Sequence, residues 1–222
     1  MPKSTFFALP AERRNRLVRE AIVEFSDRSY AEASLSQIAR RTRIPKGSFY
    51  QYFEDKLDLY RWLITDEVPR RKREFVGAAE IAGDFWARLE RIVERGMGFL
   101  VEQPRLARLS AAAADPTAAV EVRGLHRAIC EAGLGEIRVL LEQGIESGAI
   151  QSPGANLAVA TRIVAAIIGP GLTDIVLEEL GAELHEVLAS DALRRQLGLK
   201  RRQRLAHQAV QFIRSGLSSN PS

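Results

Sequence analysis

Cysteine is almost absent: Cys130 stands alone among 222 residues. No intramolecular disulfide can form, so we expect a reducing compartment and a lone thiol acting as a small buried hydrophobe. The three histidines, His126, His185 and His207, lie far apart and lack the spacing of metal ligands. No CxxC, HExxH, GxSxG or phosphate-binding glycine loop occurs. These absences argue against an enzyme, a metal and a cofactor. His126 and Cys130 are four apart and share a helix face, which reads first as core packing and second as a polar anchor in a cavity. The N-terminal apolar patch is too short for a signal sequence. Arg162 and Gly169-Pro170-Gly171 interrupt the most apolar run, so no membrane span is expected. The expected location is the cytoplasm, with no membrane partner.

What is present is ordinary in bulk and uneven in detail. Apolar residues make up 46% and charged residues 27%, as in globular proteins. The net charge of +4 is small, but residues 1–75 hold 16 Lys and Arg against 11 Asp and Glu, and the remainder holds 16 against 17. The positive excess therefore sits at the N-terminal end, where a polyanion would be held.

Residues 34–57, SLSQIARRTRIPKGSFYQYFEDKL, carry the densest pattern. Ser34 can cap a helix with its side-chain oxygen. Leu35, Ile38 and Ala39 give that helix one apolar face. Thr42, Arg43 and Ile44 make a turn, and Pro45 suits the first position of a second helix, PKGSFYQYF. Phe49 and Phe53, four apart, point inward. Lys46, Gly47, Ser48, Tyr50, Gln51 and Tyr52 remain for other faces, with no acid before Glu54. An electropositive, hydrogen-bonding helix after a tight turn is what a DNA-reading helix-turn-helix needs.

The stretch resembles the DNA-binding segment of the TetR/AcrR transcriptional regulators. The resemblance rests on Ile38-Ala39, on Lys46-Gly47-Ser48-Phe49-Tyr50-Gln51-Tyr52-Phe53, and on Asp55-Lys56-Leu57. It covers the first quarter to third of the chain. Arg43 departs from it, because that family often has glycine at the turn, and a left-handed residue costs more without glycine. The resemblance implies DNA-binding roles for Gly47, Ser48, Tyr50, Tyr52 and Lys56. With the helix reading it places Lys46, Ser48, Tyr50 and Gln51 at the major groove and Ser36, Tyr52 and Lys56 at phosphates. Ser34 and Gln37 complete the candidate set. Gln51 suits adenine, and Lys46 suits guanine or phosphate.

An amphipathic helix over residues 10–28 precedes this segment, with Tyr30 plugging the small core beside it. A helix capped by Asp55 follows, running to about Val76 and ending in the basic run Arg70-Arg71-Lys72-Arg73, which reads as a solvated face. From Asp84 onward the pattern is helical without strands. Helices are expected from Asp84 to Val101, from Pro104 to Asp115, from Pro116 past Ile145, over 155–180 with a kink at Gly169-Pro170-Gly171, over 182–197 and over 199–217. The fold class is all-α. Residues 1–54 form a three-helix DNA-binding head, 55–80 a connecting helix, and 81–222 a larger helical effector-binding and dimerisation domain.

Residues 157–177 are apolar on more than one face, so they are buried or face a partner. The resemblance implies a homodimer formed by the helices of 155–180 and 199–217. In this chain that points to Ile163, Ile167, Leu172, Ile175, Leu205, Ala209, Phe212 and Ile213. Trp86, Met97, Phe99, Leu125, His126 and Ile129 could line an apolar effector cavity, although core packing explains them equally well. Three functions stay open: a repressor on a palindromic double-stranded operator, released by a small hydrophobic effector; a DNA-binding dimer without an effector; and a helical enzyme.

Overall fold

A computed structural model describes residues 1–77, 83–114, 120–151 and 156–218. The side chains of Lys46 and His126 lie outside that description. Every regular element in it is a helix. The chain divides into two compact units, residues 1–71 with 105–129, and residues 72–104 with 130–222.

The first unit begins with a short helix that the sequence pattern did not suggest, α1 (Ser4–Phe7). Then come α2 (Ala11–Asp27), α3 (Leu35–Thr42) and α4 (Lys46–Phe49). The stripe on α2 is real: Leu17, Val18, Ala21, Ile22 and Phe25 are all buried. α3 packs on α2 with Ile38 and Ala39 buried, and Phe49 and Phe53 are buried too, with their rings 5.8 Å apart. Tyr30 does join this core, with its ring 5.1 Å from that of Tyr60. Burial, with a smaller push from Tyr30, raises the Tyr60 phenol to about 12 and keeps it uncharged among the other rings.

Asp55 caps the next helix as expected, its carboxylate accepting from the Asp58 N–H at 2.7 Å. That helix is not uniform. It comprises α5 (Lys56–Trp62), a π turn (Leu63–Glu67) and α6 (Val68–Val76). Pro69 explains the break, because a proline inside a helix loses its own donor and crowds the carbonyl four residues back. The same cause acts at the kink anticipated between α10 (Leu157–Ala166) and α11 (Leu172–Leu180), where a π turn (Ile167–Gly171) contains Pro170. A Cβ on Gly171 would come within 2.9 Å of the Ala166 carbonyl, so that turn needs its glycine. The basic run after Pro69 is not simply solvated. Arg70 and Arg71 pair with the buried Glu67 at 2.8 and 2.7 Å, and Arg73 pairs with Glu136 at 3.0 Å.

The remaining helices are α7 (Phe85–Glu102), α8 (Pro104–Ala114), α9 (Val120–Glu146), α12 (Leu184–Ala189), α13 (Asp191–Gln196) and α14 (Leu199–Ser218). Asp84 caps α7 through the Ala87 N–H at 2.9 Å. The single helix expected over 182–197 is two, because Ser190 leaves helical geometry and caps α13 through the Leu193 N–H. Cys130, expected to be buried, is exposed.

In the second unit α7 packs along α14. Leu89, Val93 and Met97 lie in one core with Leu205, Val210 and Ile213. Arg202 is buried in the same contact and donates to Glu94 at 2.8 Å. Val164, Leu172 and Val176 turn the inner face of α10 and α11 into this core. As one stretch, Leu157–Leu180 has a mean hydropathy of 1.6 and is apolar and long enough to cross a membrane. The expectation that no run reaches that length therefore fails, because neither Arg162 nor the prolyl kink stops the helix. Length and composition are all that point to a membrane.

Candidate nucleic-acid interface

The geometry of the first unit is set by groups that the sequence pattern did not single out. Glu24 is 1% exposed on the apolar stripe of α2. One carboxylate oxygen accepts from the Ser34 N–H at 3.0 Å, and the other accepts from the Arg41 guanidinium. A single buried acid thus holds both ends of α3. Ser34 is the capping residue in position only, since its side chain makes no capping bond. The signal was available: Glu24 lies three residues after Ala21 and one before Phe25, so helical spacing puts an acid on the inward face.

The turn keeps its left-handed geometry despite its arginine. Arg43 has φ 58° and ψ 32°, the only non-glycine positive φ among the described residues. The Ile44 N–H reaches the Ala39 carbonyl at 3.0 Å and the Arg43 N–H reaches that of Arg40 at 3.2 Å. This double closure is the Schellman motif, which usually takes glycine.

α4, the helix expected to read DNA as the recognition helix of the pair, is shorter than its sequence suggests. After Phe49 the backbone tightens to bonds three residues apart, from Gln51 to Ser48 and from Tyr52 to Phe49. Phe49 and Phe53 face the core, so the outward residues follow. Tyr50 is 47% exposed, and Gln51, Gly47 and Ser36 are exposed too. Ser34, Gln37, Ser48 and Tyr52 are half-buried. A Cβ on Gly47 would meet nothing within 4 Å, so nothing inside this chain demands glycine there.

Lys56 is a correction. Expected at a phosphate, its ammonium instead donates to the carbonyls of Tyr30, Ala31 and Ala33 at 2.8, 3.1 and 3.2 Å, and lies 4.6 Å from the Tyr30 ring centre. An ammonium has three donors, and all three are filled. Lys56 thus holds the loop that leads into α3.

The other candidate sets divide. Trp86, Met97 and Phe99 are buried in the second unit, and Trp86 and Met97 belong to its core. Leu125 is buried and Ile129 half-buried in the first unit. Of the expected interface residues, Leu172, Leu205 and Ile213 are 4%, 3% and 3% exposed inside their own unit, so they have no surface left for a partner. Ile167 and Ala209 are half-buried against the same core. Ile163, Ile175 and Phe212 are 55%, 45% and 72% exposed, and Val159, which the sequence reading omitted, joins them at 46%.

Residues 17–62 match the model for bacterial regulatory proteins of the tetR family. An uncharacterised helix-turn-helix transcriptional regulator of Bacillus subtilis, YdgC, is 40% identical over 62 residues, 28% of this chain and 32% of that protein. The chain spans about a third of the length of that curated relative. A TetR-family regulator from Chloroflexus aurantiacus matches in structure over 97% of this chain and 98% of its own, with a TM-score of 0.63 and 28% identity. FadR of Bacillus subtilis, solved in complex with stearoyl-CoA, matches over 82% of this chain and 96% of its own, with a TM-score of 0.61 and 19% identity. That last likeness is one of fold. The proteins resembled are transcriptional regulators, not enzymes.

Proposed function

We propose that the chain is a TetR-family regulatory protein, a reading supported by the match of residues 17–62 and by the regulators it resembles, and that it is a cytoplasmic repressor. It binds a palindromic operator as a homodimer and is released by a small, mostly apolar effector. The observation that carries the DNA part is the outward group on the head: Ser36, Gly47, Tyr50 and Gln51 are exposed on a backbone held by Glu24 and Lys56. Tyr50, Gln51, Ser48 and Lys46 read base edges, and the bare Gly47 lets the duplex approach the backbone. Ser36 and Tyr52 hold phosphates, with Ser34 and Gln37 beside them.

Dimerisation supplies the second head. The exposed apolar side chains Val159, Ile163, Ile175 and Phe212 support a pairing of α10, α11 and α14 with their copies. Two heads related by a dyad read inverted half-sites about one helical turn, or a multiple of it, apart. The effector acts by unequal affinity for the DNA-competent and incompetent states. The stearoyl-CoA of the Bacillus subtilis FadR complex makes long acyl chains the first apolar groups to try, both free and carried on coenzyme A.

Selection of genome fragments by the purified protein tests the reading and returns the operator. Tyr50→Ala and Gln51→Ala should each weaken the selected operator by about 1–3 kcal/mol. Unchanged affinity in both would remove the recognition helix from the groove. Titration of an acyl-CoA series into the operator complex tests release. A second reading, a DNA-binding dimer without effector, is favoured by Trp86 and Met97 already filling a core. It stands if no apolar ligand that stabilises the protein alters operator affinity.

A further inference from the structure

A helix leaves its last carbonyls without intrahelical partners, and a frayed end cannot hold side chains still. The end of the recognition segment, at Tyr50, Gln51 and Tyr52, does not fray into solvent. Its three carbonyls are taken one by one by the N-terminal residues. The Lys3 ammonium donates to the Tyr50 carbonyl at 2.9 Å, the Thr5 hydroxyl donates to that of Gln51, and the Lys3 N–H donates to that of Tyr52 at 2.9 Å. One residue on, Phe6 is 1% exposed, with its ring 5.0 Å from those of Phe53 and Trp62. Phe6 is therefore an anchor in the head's core, and Lys3 and Thr5 are caps placed by that anchor.

We propose that residues 3–6 are a positioning element for DNA reading: a strap that closes the carbonyl end of the recognition segment and fixes the outward aim of Tyr50 and Gln51. Lys3 adds a cation at the negative end of the segment's dipole. The strap rests on the operator-binding reading above, but its geometry is a property of the free protein and can be tested without DNA.

Thr5→Val keeps the shape of the side chain and removes the donor; Thr5→Ser restores the donor. Hydrogen exchange on the free full chain is the first measurement. Thr5→Val should speed exchange at the Gln51, Tyr52 and Phe53 amides by roughly two- to tenfold, the range for one lost hydrogen bond. Amides of α3 should be unaffected, and Thr5→Ser should return wild-type rates. The second measurement is affinity for the selected operator and for unrelated duplex. Thr5→Val should weaken the operator by the same factor, leave unrelated duplex unchanged, and lower the thermal midpoint by no more than the few degrees that one hydrogen bond is worth. Unchanged exchange at residues 51–53 overturns the strap, and so does an equal loss of protection across the whole unit. Lys3→Met separates capping from phosphate contact: a fall of about one in the salt slope would make Lys3 a phosphate ligand and overturn its role as a cap. If the wild-type chain selects no DNA, the regulator reading fails, while the exchange data still decide the strap.

Discussion

Replacing Arg43 with glycine should stabilise the head. Arg43 sits at φ 58° and ψ 32°, where a side chain crowds its own carbonyl at a cost of roughly 1–2 kcal/mol. Glycine removes that cost but loses about 0.5–1 kcal/mol through its freer unfolded chain. The arginine side chain is exposed, so the substitution sacrifices no buried packing. The difference is a gain of about 0.5–1 kcal/mol. For a cooperative unit of fewer than about 100 residues this amounts to several degrees in the midpoint. Arg43→Ala is the necessary control. It removes the same charge beside Arg40 and Arg41 but keeps the Cβ that makes the conformation costly. Calorimetry or denaturant titration of wild type, Arg43→Ala and Arg43→Gly should show a gain for glycine alone. Equal gains in both variants would trace the effect to charge repulsion. A loss in the glycine variant would refute the strain argument.

Two glycines of one helix should respond in opposite directions to alanine. A Cβ on Gly144 would come within 2.6 Å of the Ile150 side chain and 2.8 Å of the Phe85 ring, so Gly144→Ala should cost about 1–3 kcal/mol by overpacking. Gly135 has nothing within 4 Å, and Gly135→Ala should add up to about 1 kcal/mol through helix propensity, both being read by denaturant titration. Phe212→Asp should abolish self-association in sedimentation while leaving the circular dichroism of the monomer intact. Ile213→Asp, one residue on and 3% exposed, should instead unfold the second unit, and the reverse pattern would displace the proposed interface. Glu67 should contribute to the acid limb of stability. Burial raises its carboxyl, but the Arg70 and Arg71 guanidiniums outweigh that and hold it below its usual value of 4.5. Its contribution is thus complete above the unfolded value and is lost as pH falls through the lower folded one. Glu67→Gln should flatten that limb in acid titrations followed by circular dichroism.

Local chemistry alone determined a good deal of this protein. The spacing of Leu17, Val18, Ala21, Ile22 and Phe25 marked a buried helix face, and Asp55 and Asp84 marked helix starts, because stripes and caps depend on neighbours three or four residues away. Phe49 and Phe53 revealed which face of the recognition helix turns inward, and hence that Tyr50 and Gln51 turn outward. The π turn at Pro170 was foreshadowed by its flanking glycines, whereas Pro69 could have been read as a break and was not. Only the tertiary structure decided the partners. Lys56 carries the same charge whether it holds a phosphate or three carbonyls of the loop at 30–33; the distances make it a structural tie. Glu24 and the strap of Lys3, Thr5 and Phe6 act across separations of 10 to 56 residues in the chain, from Glu24–Ser34 to Phe6–Trp62, which no helical period reports. Phe212 and Ile213 are neighbours of similar hydrophobicity, yet one is 72% and the other 3% exposed. Composition records how apolar a residue is; the packing of α14 on α7 selects which of the two is buried and which is left exposed.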